Sequence, residues 1–261
     1  MAVFSVNGVE LDGLHLGKGN KPAMLVLHGA NGPASMTAAC QRMAEHFEVL
    51  APAHPGFGHS PTVPAIDSID DLAYLYLDLM EAMDLSDVVV MGFSMGGWIA
   101  SEIAVKSTAR IGRLILVDAV GIRVPGREDC QIADLFNIHP AKIPALVFHD
   151  LSLAPDPSAM SEQEMVLATK AREAAVRYTW EPYMHNPKLA GRLHRIDVPT
   201  LVLWGKYDGI VPLAYGKEYC ALIPGAQMKV FEKSGHSPLT EQADEFLAAV
   251  TEFAAAEKAA A

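Results

Sequence analysis

Residues 88–100 have the sequence VVVMGFSMGGWIA, and this stretch decides the fold. The run Val88 to Val90 is typical of a strand buried on both faces, and the residues after Ser94 are typical of a helix. Gly92 to Gly96 has the form G-x-S-x-G, in which small residues permit a sharp turn from strand to helix. The stretch therefore predicts a serine raised above the edge of a sheet, and the rest of the chain must supply its partners.

Strand-like apolar runs alternate with helical patterns along most of the chain. The N-terminal segment alternates around Asn7 and Gly8, a pair that supplies the positive φ angles of a two-residue hairpin turn. In IDDLAYLYLDLMEAMD, apolar residues recur at three- and four-residue steps, which predicts a helix. This alternation predicts an α/β fold with a mostly parallel central sheet flanked by helices. The strand-like runs are AMLVLHG, FEVLAPAHPG, DVVVMGFS, RLILVDAVG, PTLVLWGKYD and AQMKVFEKSG.

One region interrupts the alternation between the sixth and seventh strands of the fold. From about Ile122 to Leu193 the sequence contains helix-like pieces and turn-rich segments but no convincing strand. We expect a helical cap over residues 122–193, inserted into a core formed by residues 1–121 and 194–261.

Composition and charge exclude several function classes. The chain has 261 residues, 51% of them hydrophobic, and a formal net charge of −11, which argues against nucleic acid or an anionic membrane as partner. Three scattered cysteines predict neither a disulfide framework nor a zinc site. With no signal-like N-terminus and no long apolar run, we expect a cytoplasmic protein. Homo-oligomer formation stays open.

A serine nucleophile needs a base and a third group that orients the base. Asp208 follows the strand-like run PTLVLWG, and His236 follows the next run, AQMKVF. The chain order Ser94, Asp208, His236 is the order expected for this motif class. Asp118, after the strand-like LILV, is the rival candidate for the acid.

These spaced motifs resemble those of an α/β-hydrolase-fold enzyme with a helical cap. The resemblance covers essentially the whole chain through LHGANG, HPGFGHS, GFSMGG, WGKYDGIVP and SGHSP. It implies that Asp208 orients His236, which takes the proton from Ser94. It also implies an oxyanion hole formed by the backbone N–H groups of Ala30 and Met95. No metal or cofactor is implied.

The resemblance leaves the reaction open among three hypotheses. The first is a serine hydrolase, like carboxylic ester hydrolases, that cleaves a small or medium ester, thioester or lactone through an acyl-enzyme. The second is a C–C hydrolase of meta-cleavage-type diketones, which share SMGG. Those enzymes usually carry Asn where this chain has Phe93 and Trp where it has Ser237. The third is a non-enzymatic receptor for a small ligand on the same fold.

Other residues are assigned structural roles from the sequence. We expect His28 to brace the oxyanion loop and His54 and His59 to belong to a structural loop. In the insertion, aromatic, methionine and arginine side chains could line a pocket, but packing and solvated helix faces explain them as well. These cap candidates are Trp180, Tyr183, Met184, Arg123, Arg127, Arg172 and Arg177. The sequence assigns no substrate-binding residue.

Overall fold

The structure, a computed structural model, describes residues 2–19, 22–124 and 126–256 and contains one eight-stranded sheet. The strand order is β1-β2-β4-β3-β5-β6-β7-β8, and only β2 pairs antiparallel, with β1 and β4. The predicted N-terminal hairpin and mostly parallel sheet are therefore confirmed. The strands are β1 Ala2–Val6, β2 Val9–Leu16, β3 Ala23–Leu27, β4 Glu48–Pro52, β5 Val88–Phe93, β6 Ile111–Val117, β7 Thr200–Gly205 and β8 Gln227–Phe231.

Helices cover both faces of the sheet, and each face has its own apolar core. One core includes side chains of α2, α3 and α6, and the other includes side chains of α1 and α8. Strands β5 and β6 are buried along their whole length, because helices exclude water from both of their faces. The helices are α1 Thr37–Met43, α2 Ile69–Ala82, α3 Met95–Lys106, α4 Ile143–Val147, α5 Glu162–Thr179, α6 Leu213–Leu222, α7 Pro238–Glu241 and α8 Ala243–Ala255.

The helix predicted over IDDLAYLYLDLMEAMD corresponds to α2, which starts at a capping box and ends two residues earlier than predicted, at Ala82. The Ser68 side chain accepts a hydrogen bond from the Asp71 backbone N–H, and the Asp71 carboxylate accepts one from the Ser68 N–H. The apolar residues Leu72, Leu75 and Leu79 lie on the buried face of the helix. The three- and four-residue spacing in the sequence thus identified the face that packs on the sheet.

The segment between β6 and β7 is helical, as predicted, but its first half is less regular than the sequence suggested. Within the described residues it contains α4, α5 and several short 3-10 helices, while one isolated bridge joins Gly121 to His185. Residues 128–150, one of the helix-like pieces of the sequence, form only short helices, and α4 has five residues. Pro140 and Pro144 lie in the first turns of two of these pieces, because proline cannot continue a helix that precedes it.

Over the described ranges, none of the helices is both long and apolar enough to span a bilayer.

Candidate active site

Ser94 lies at the turn between β5 and α3, in a backbone conformation that residues other than glycine rarely adopt. Its φ is 53° and its ψ is −113°. A Cβ atom at Gly92 would lie 2.2 Å from the carbonyl oxygen of Gly96, and one at Gly96 would lie 2.0 Å from that of Leu27. Both glycines are therefore needed so that α3 can pack closely against the sheet while the turn presents the serine.

His236 and Asp208 are brought together at the same edge of the sheet. The Nδ1 atom of His236 lies 2.7 Å from Oδ2 of Asp208, and the other carboxylate oxygen accepts the backbone N–H groups of Ile210 and Val211 at 2.8 Å each. Asp208 and His236 are 7% and 6% exposed. These three contacts hold the Asp208 carboxylate in one orientation. Because Nδ1 is held by Asp208, Nε2 is the ring nitrogen left to exchange a proton.

Phe93 links the imidazole to the serine turn. Its ring centroid lies 5.1 Å from that of His236, and Phe93 immediately precedes Ser94, which is 9% exposed. Within the described part of the chain, no hydrogen bond joins the Ser94 hydroxyl to His236. Hydrogen bonds between a nucleophile and its base are commonly long without substrate and shorten when substrate binds.

The loop after β3 packs directly on the serine turn. A Cβ atom at Gly29 would lie 3.2 Å from the Ser94 Cβ atom, so the glycine permits this close approach. The Gly29 carbonyl accepts a hydrogen bond from the Gly32 N–H at 3.0 Å and lies 2.8 Å from Nδ1 of His28. In a trans peptide the carbonyl and the following N–H point in opposite directions. Fixing the Gly29 carbonyl therefore also fixes the direction of the Ala30 N–H.

Met95 is the first residue of α3, and the N–H groups of a first helical turn have no acceptor within their own helix. They also lie at the positive end of the helix dipole. Of the two residues predicted to supply an oxyanion hole, Met95 directly follows Ser94, and Ala30 follows Gly29, which packs on the Ser94 turn.

A buried pair of histidines supports the loop after β3. Nε2 of His28 accepts the His54 backbone N–H at 3.0 Å, so the His28 proton lies on Nδ1 and is donated to the Gly29 carbonyl. In turn, Nε2 of His54 donates to the His28 carbonyl at 3.0 Å, and Nδ1 of His54 accepts the Tyr76 hydroxyl at 2.5 Å. Each tautomer is therefore set by the partner of the other nitrogen.

Both histidines are neutral at neutral pH. Burial, together with the neighbouring His54, holds the pKa of His28 well below its usual value. Burial lowers the pKa of His54 from 6.5 to about 4. The expected bracing role of His28 agrees with its contacts, but sequence reasoning missed Tyr76. Its position on the apolar face of α2 gave no sign that its hydroxyl reaches a histidine.

The helical insertion contacts the loops that carry the candidate residues. The Val147 carbonyl accepts the His236 N–H at 2.6 Å, and the Leu146 carbonyl accepts the Gly209 N–H at 3.0 Å. On α5, the Lys170 ammonium donates to the carbonyls of Gly58 and Ser60 at 3.0 Å each. Main-chain and side-chain hydrogen bonds thus hold the insertion over the edge of the sheet where Ser94 lies.

The cap residues singled out in the sequence do not converge on the serine as a group. Trp180 is 57% exposed, whereas Met184 is buried in the core. Tyr183 and Arg123 line a groove of about 420 Å³ beside α6. Arg127 pairs with Asp129 and Glu218. The remaining arginines, Arg172 and Arg177, are exposed on α5.

The alternative acid, Asp118, accepts the Gly205 N–H at 2.9 Å, whereas His236 Nδ1 is bonded to Asp208.

Comparisons with known proteins agree with the fold. A family model described as "Alpha/beta hydrolase family" matches residues 24–249. The chain is similar to 2-hydroxy-6-oxononadienedioate/2-hydroxy-6-oxononatrienedioate hydrolase 1 of Pseudomonas putida, with 28% identity over 89% of this chain and 88% of the relative.

Solved structures with the same architecture include an enol-lactonase from Burkholderia xenovorans LB400. Its TM-score is 0.77 at 25% identity, covering 97% of this chain and 99% of the other. An esterase from Exiguobacterium antarcticum has a TM-score of 0.77 at 20% identity, covering 97% of this chain and 98% of the other.

Proposed function

Because the chain belongs to the alpha/beta hydrolase family and is a hydrolase, we propose that it cleaves a small or medium carboxylic ester, thioester or lactone through an acyl-enzyme on Ser94. The observation that carries the proposal is the 2.7 Å contact between His236 and a buried Asp208, at the edge of the sheet where Ser94 stands. In this proposal residues 122–193 form a cap over a core of residues 1–121 and 194–261.

Proton transfer runs through the imidazole. Nε2 of His236 takes the proton of the Ser94 hydroxyl as Oγ attacks the acyl carbon, and it then gives that proton to the leaving oxygen or sulfur. Asp208 holds Nδ1 protonated and stabilises the imidazolium that forms. Water then attacks the acyl-enzyme by the same steps, so the acid is released and Ser94 regains its proton.

The negative charge on the tetrahedral intermediate is stabilised by backbone donors. The N–H groups of Ala30 and Met95 receive the oxyanion, and they need no reorganisation because the His28 bond and the start of α3 fix them beforehand. Removing one donor of this kind typically lowers the rate about 100- to 1000-fold. Cap contacts at His236 and Gly209 limit the access of bulk water, which strengthens these interactions.

A second candidate reaction is hydrolysis of a C–C bond in a vinylogous diketone. It is favoured by the Pseudomonas putida relative, whose name is that of a hydrolase of a hydroxy-oxo dienedioate. Against it stand Phe93 and Ser237 at the two positions where the sequence departs from the meta-cleavage pattern. The Ser237 hydroxyl is bonded to Thr240, and the Phe93 ring packs on His236.

Labelling with a fluorophosphonate tests the nucleophile without knowledge of the substrate. We expect one covalent adduct on Ser94, located by peptide mass spectrometry. The adduct should be absent in Ser94→Ala and strongly reduced in His236→Ala. Ser107→Ala is the matched control and should be labelled like the native protein, because Ser107 lies at the C-terminal end of α3, the end opposite the Ser94 turn. Adduct formation in Ser94→Ala, or none in the folded native protein, would contradict the proposal.

Turnover assays then distinguish ester hydrolysis from C–C bond hydrolysis and from ligand binding without a reaction. Hydrolysis of a short-chain nitrophenyl ester, lost by about a millionfold in kcat for Ser94→Ala, is the expected result. Loss of the coloured dienol of a ring-fission product, without ester turnover, would favour the C–C reaction. Saturable ligand binding with neither turnover nor labelling would favour the receptor hypothesis.

A further inference from the structure

A second buried carboxyl group, that of Asp118, lies beside the Asp208–His236 pair. Asp118 follows β6 and has no exposed surface. Its Oδ1 atom accepts the Gly205 N–H at 2.9 Å, whereas no donor in the described part of the chain reaches Oδ2. One ligand-capable atom from each of Asp118, Asp208 and His236 lies within 4.8 Å of the other two. A fully buried carboxylate oxygen without a donor is costly, so its protonation state needs an explanation.

Burial and mutual repulsion strongly disfavour ionisation of both carboxyl groups in this site. Asp208 accepts three hydrogen bonds, from two backbone N–H groups and from His236, whereas Asp118 accepts one. Hydrogen bonds to the charged form favour ionisation, so the shared proton belongs on Asp118. Burial and the charge of Asp208 raise the pKa of Asp118 well above its usual range. Glu241, whose carboxylate accepts the Gly235 N–H, raises that pKa further.

We propose that Asp118 is a protonated carboxyl group that donates a hydrogen bond from Oδ2 to the Asp208 carboxylate and so positions Asp208 for His236. The inference rests on the proposed function of that pair. Asp118 touches neither substrate nor Ser94 in this scheme, and it acts only through Asp208.

The position of Asp118 suits this role. Its backbone N–H donates to the Leu203 carbonyl at 3.0 Å, and its Oδ1 atom holds the Gly205 N–H. Both partners belong to β7, the strand that leads to Asp208. Asp118 therefore ties the end of β6 to the end of β7, and its proton draws negative charge away from the oxygen that faces His236. This charge withdrawal weakens the attraction between the Asp208 carboxylate and the imidazolium form of His236.

Two substitutions of Asp118 test whether its side chain acts as a hydrogen-bond donor to Asp208. Asp118→Asn keeps an oxygen for the Gly205 N–H and offers an amide donor to Asp208 at all pH values. Asp118→Gly removes both contacts. It does so without backbone strain, because Asp118 has a φ of 44°, where glycine is favoured and asparagine is tolerated.

The readout is the pH dependence of fluorophosphonate labelling at Ser94, in which the fall in rate at low pH, the acid limb, reports protonation of the imidazole that serves as base. Asp118→Asn should keep the acid limb of the native protein, with a labelling rate within about threefold. Asp118→Gly should move the limb upward by about one pH unit and lower the plateau about tenfold, as expected for loss of a hydrogen bond to a charged group.

Each alternative gives a different result. If Asp118 were ionised, Asp118→Asn would remove a negative charge near His236 and move the acid limb downward. If Asp118 were only structural, Asp118→Gly would lower Tm but leave the limb in place. If dialysis against EDTA changed the acid limb or the labelling rate, a cation instead of a proton would neutralise the pair of carboxyl groups. Any of these outcomes overturns the proposal.

An infrared measurement tests the proton itself and does not depend on activity. The native protein at neutral pH should show the carbonyl band of a protonated carboxylic acid, and Asp118→Asn should lack it. Glu102→Gln, which removes another buried carboxyl group, should retain the band. If the band is present but Ser94 never labels, the proposed function fails while the proton assignment stands. If Ser94 labels but the band is absent, only the proposal for Asp118 fails.

Discussion

The His28 ring makes two hydrogen bonds with different purposes, and two substitutions should separate them. Nδ1 donates to the Gly29 carbonyl, which sets the direction of the Ala30 N–H, whereas Nε2 accepts the buried His54 N–H. Asparagine carries a donor near the position of Nδ1 but has nothing at Nε2. Glutamine reaches the position of Nε2 with its amide oxygen but has no donor near Nδ1. We therefore expect His28→Asn to lower stability more, and His28→Gln to lower activity more.

The magnitudes follow from the groups left without partners. In His28→Asn the His54 N–H is buried without an acceptor, which costs about 1–3 kcal/mol. For a protein of this size that corresponds to a fall in Tm of about 2–12 °C. In His28→Gln the Gly29 carbonyl keeps the Gly32 N–H, so the oxyanion donor is loosened and not lost. The rate should fall about tenfold, less than the 100- to 1000-fold for a missing donor.

Both variants lose the same ring contacts, which makes them a matched pair. The centroid of the His28 ring lies 3.8 Å from that of His54, with the ring planes tilted by 34°, and 4.8 Å from that of Phe57 in an edge-on arrangement. Differential scanning calorimetry gives Tm, and the plateau rate of fluorophosphonate labelling or ester turnover gives activity. If His28→Asn were the less active and His28→Gln the less stable of the two, the assignment of roles to the two nitrogens would be refuted.

Three further predictions concern stability. His54 has a folded-state pKa of about 4 against 6.5 when unfolded, so its neutral form contributes stability that is present above pH 6.5. That stability, about 3 kcal/mol, is lost as the pH falls from 6.5 towards 4. Urea denaturation at several pH values should show this fall in the free energy of unfolding. His54→Asn should reduce the slope of that free energy against pH by the amount that corresponds to one bound proton; an unchanged slope would refute the lowered pKa. Gly96→Ala should prevent folding or unfold the protein below 37 °C in a thermal melt, because its Cβ would lie 2.0 Å from the Leu27 oxygen; a native-like Tm would contradict that contact. Ser68→Ala should lower the free energy of unfolding by about 1 kcal/mol through loss of the α2 cap, and Ser68→Asp, which keeps an acceptor, should restore most of it.

Much of the fold could be predicted because its signals are local. The valine-rich run at β5, the glycines beside Ser94 and the spacing of apolar residues in α2 each depend on neighbouring residues alone. The helix-like pattern over 128–150 was a less reliable guide. There the local periodicity was present, but two prolines and the packing of short pieces on the core broke it into single turns.

The candidate site shows the same division. The placement of Asp208 and His236 at one edge of the sheet could be predicted because each follows a strand, and strands of a parallel sheet end at a common edge. The roles of Tyr76 and Leu146 could not be predicted, because their contacts to His54 and Gly209 join elements far apart in the chain. Such contacts depend on the angles at which helices pack, and no local pattern encodes them.

By itself, the sequence determined the order of the elements, the serine turn and the placement of Asp208 and His236 after strands, since backbone conformation and apolar periodicity follow from adjacent residues. Only the tertiary structure decided which of two acidic residues bonds His236. Asp118 and Asp208 both follow strands, and their difference lies in the donors that surround them. Asp208 has three and Asp118 has one. Those donors come from separate segments that meet only when the sheet has formed, so the choice between two chemically identical groups is made by the fold.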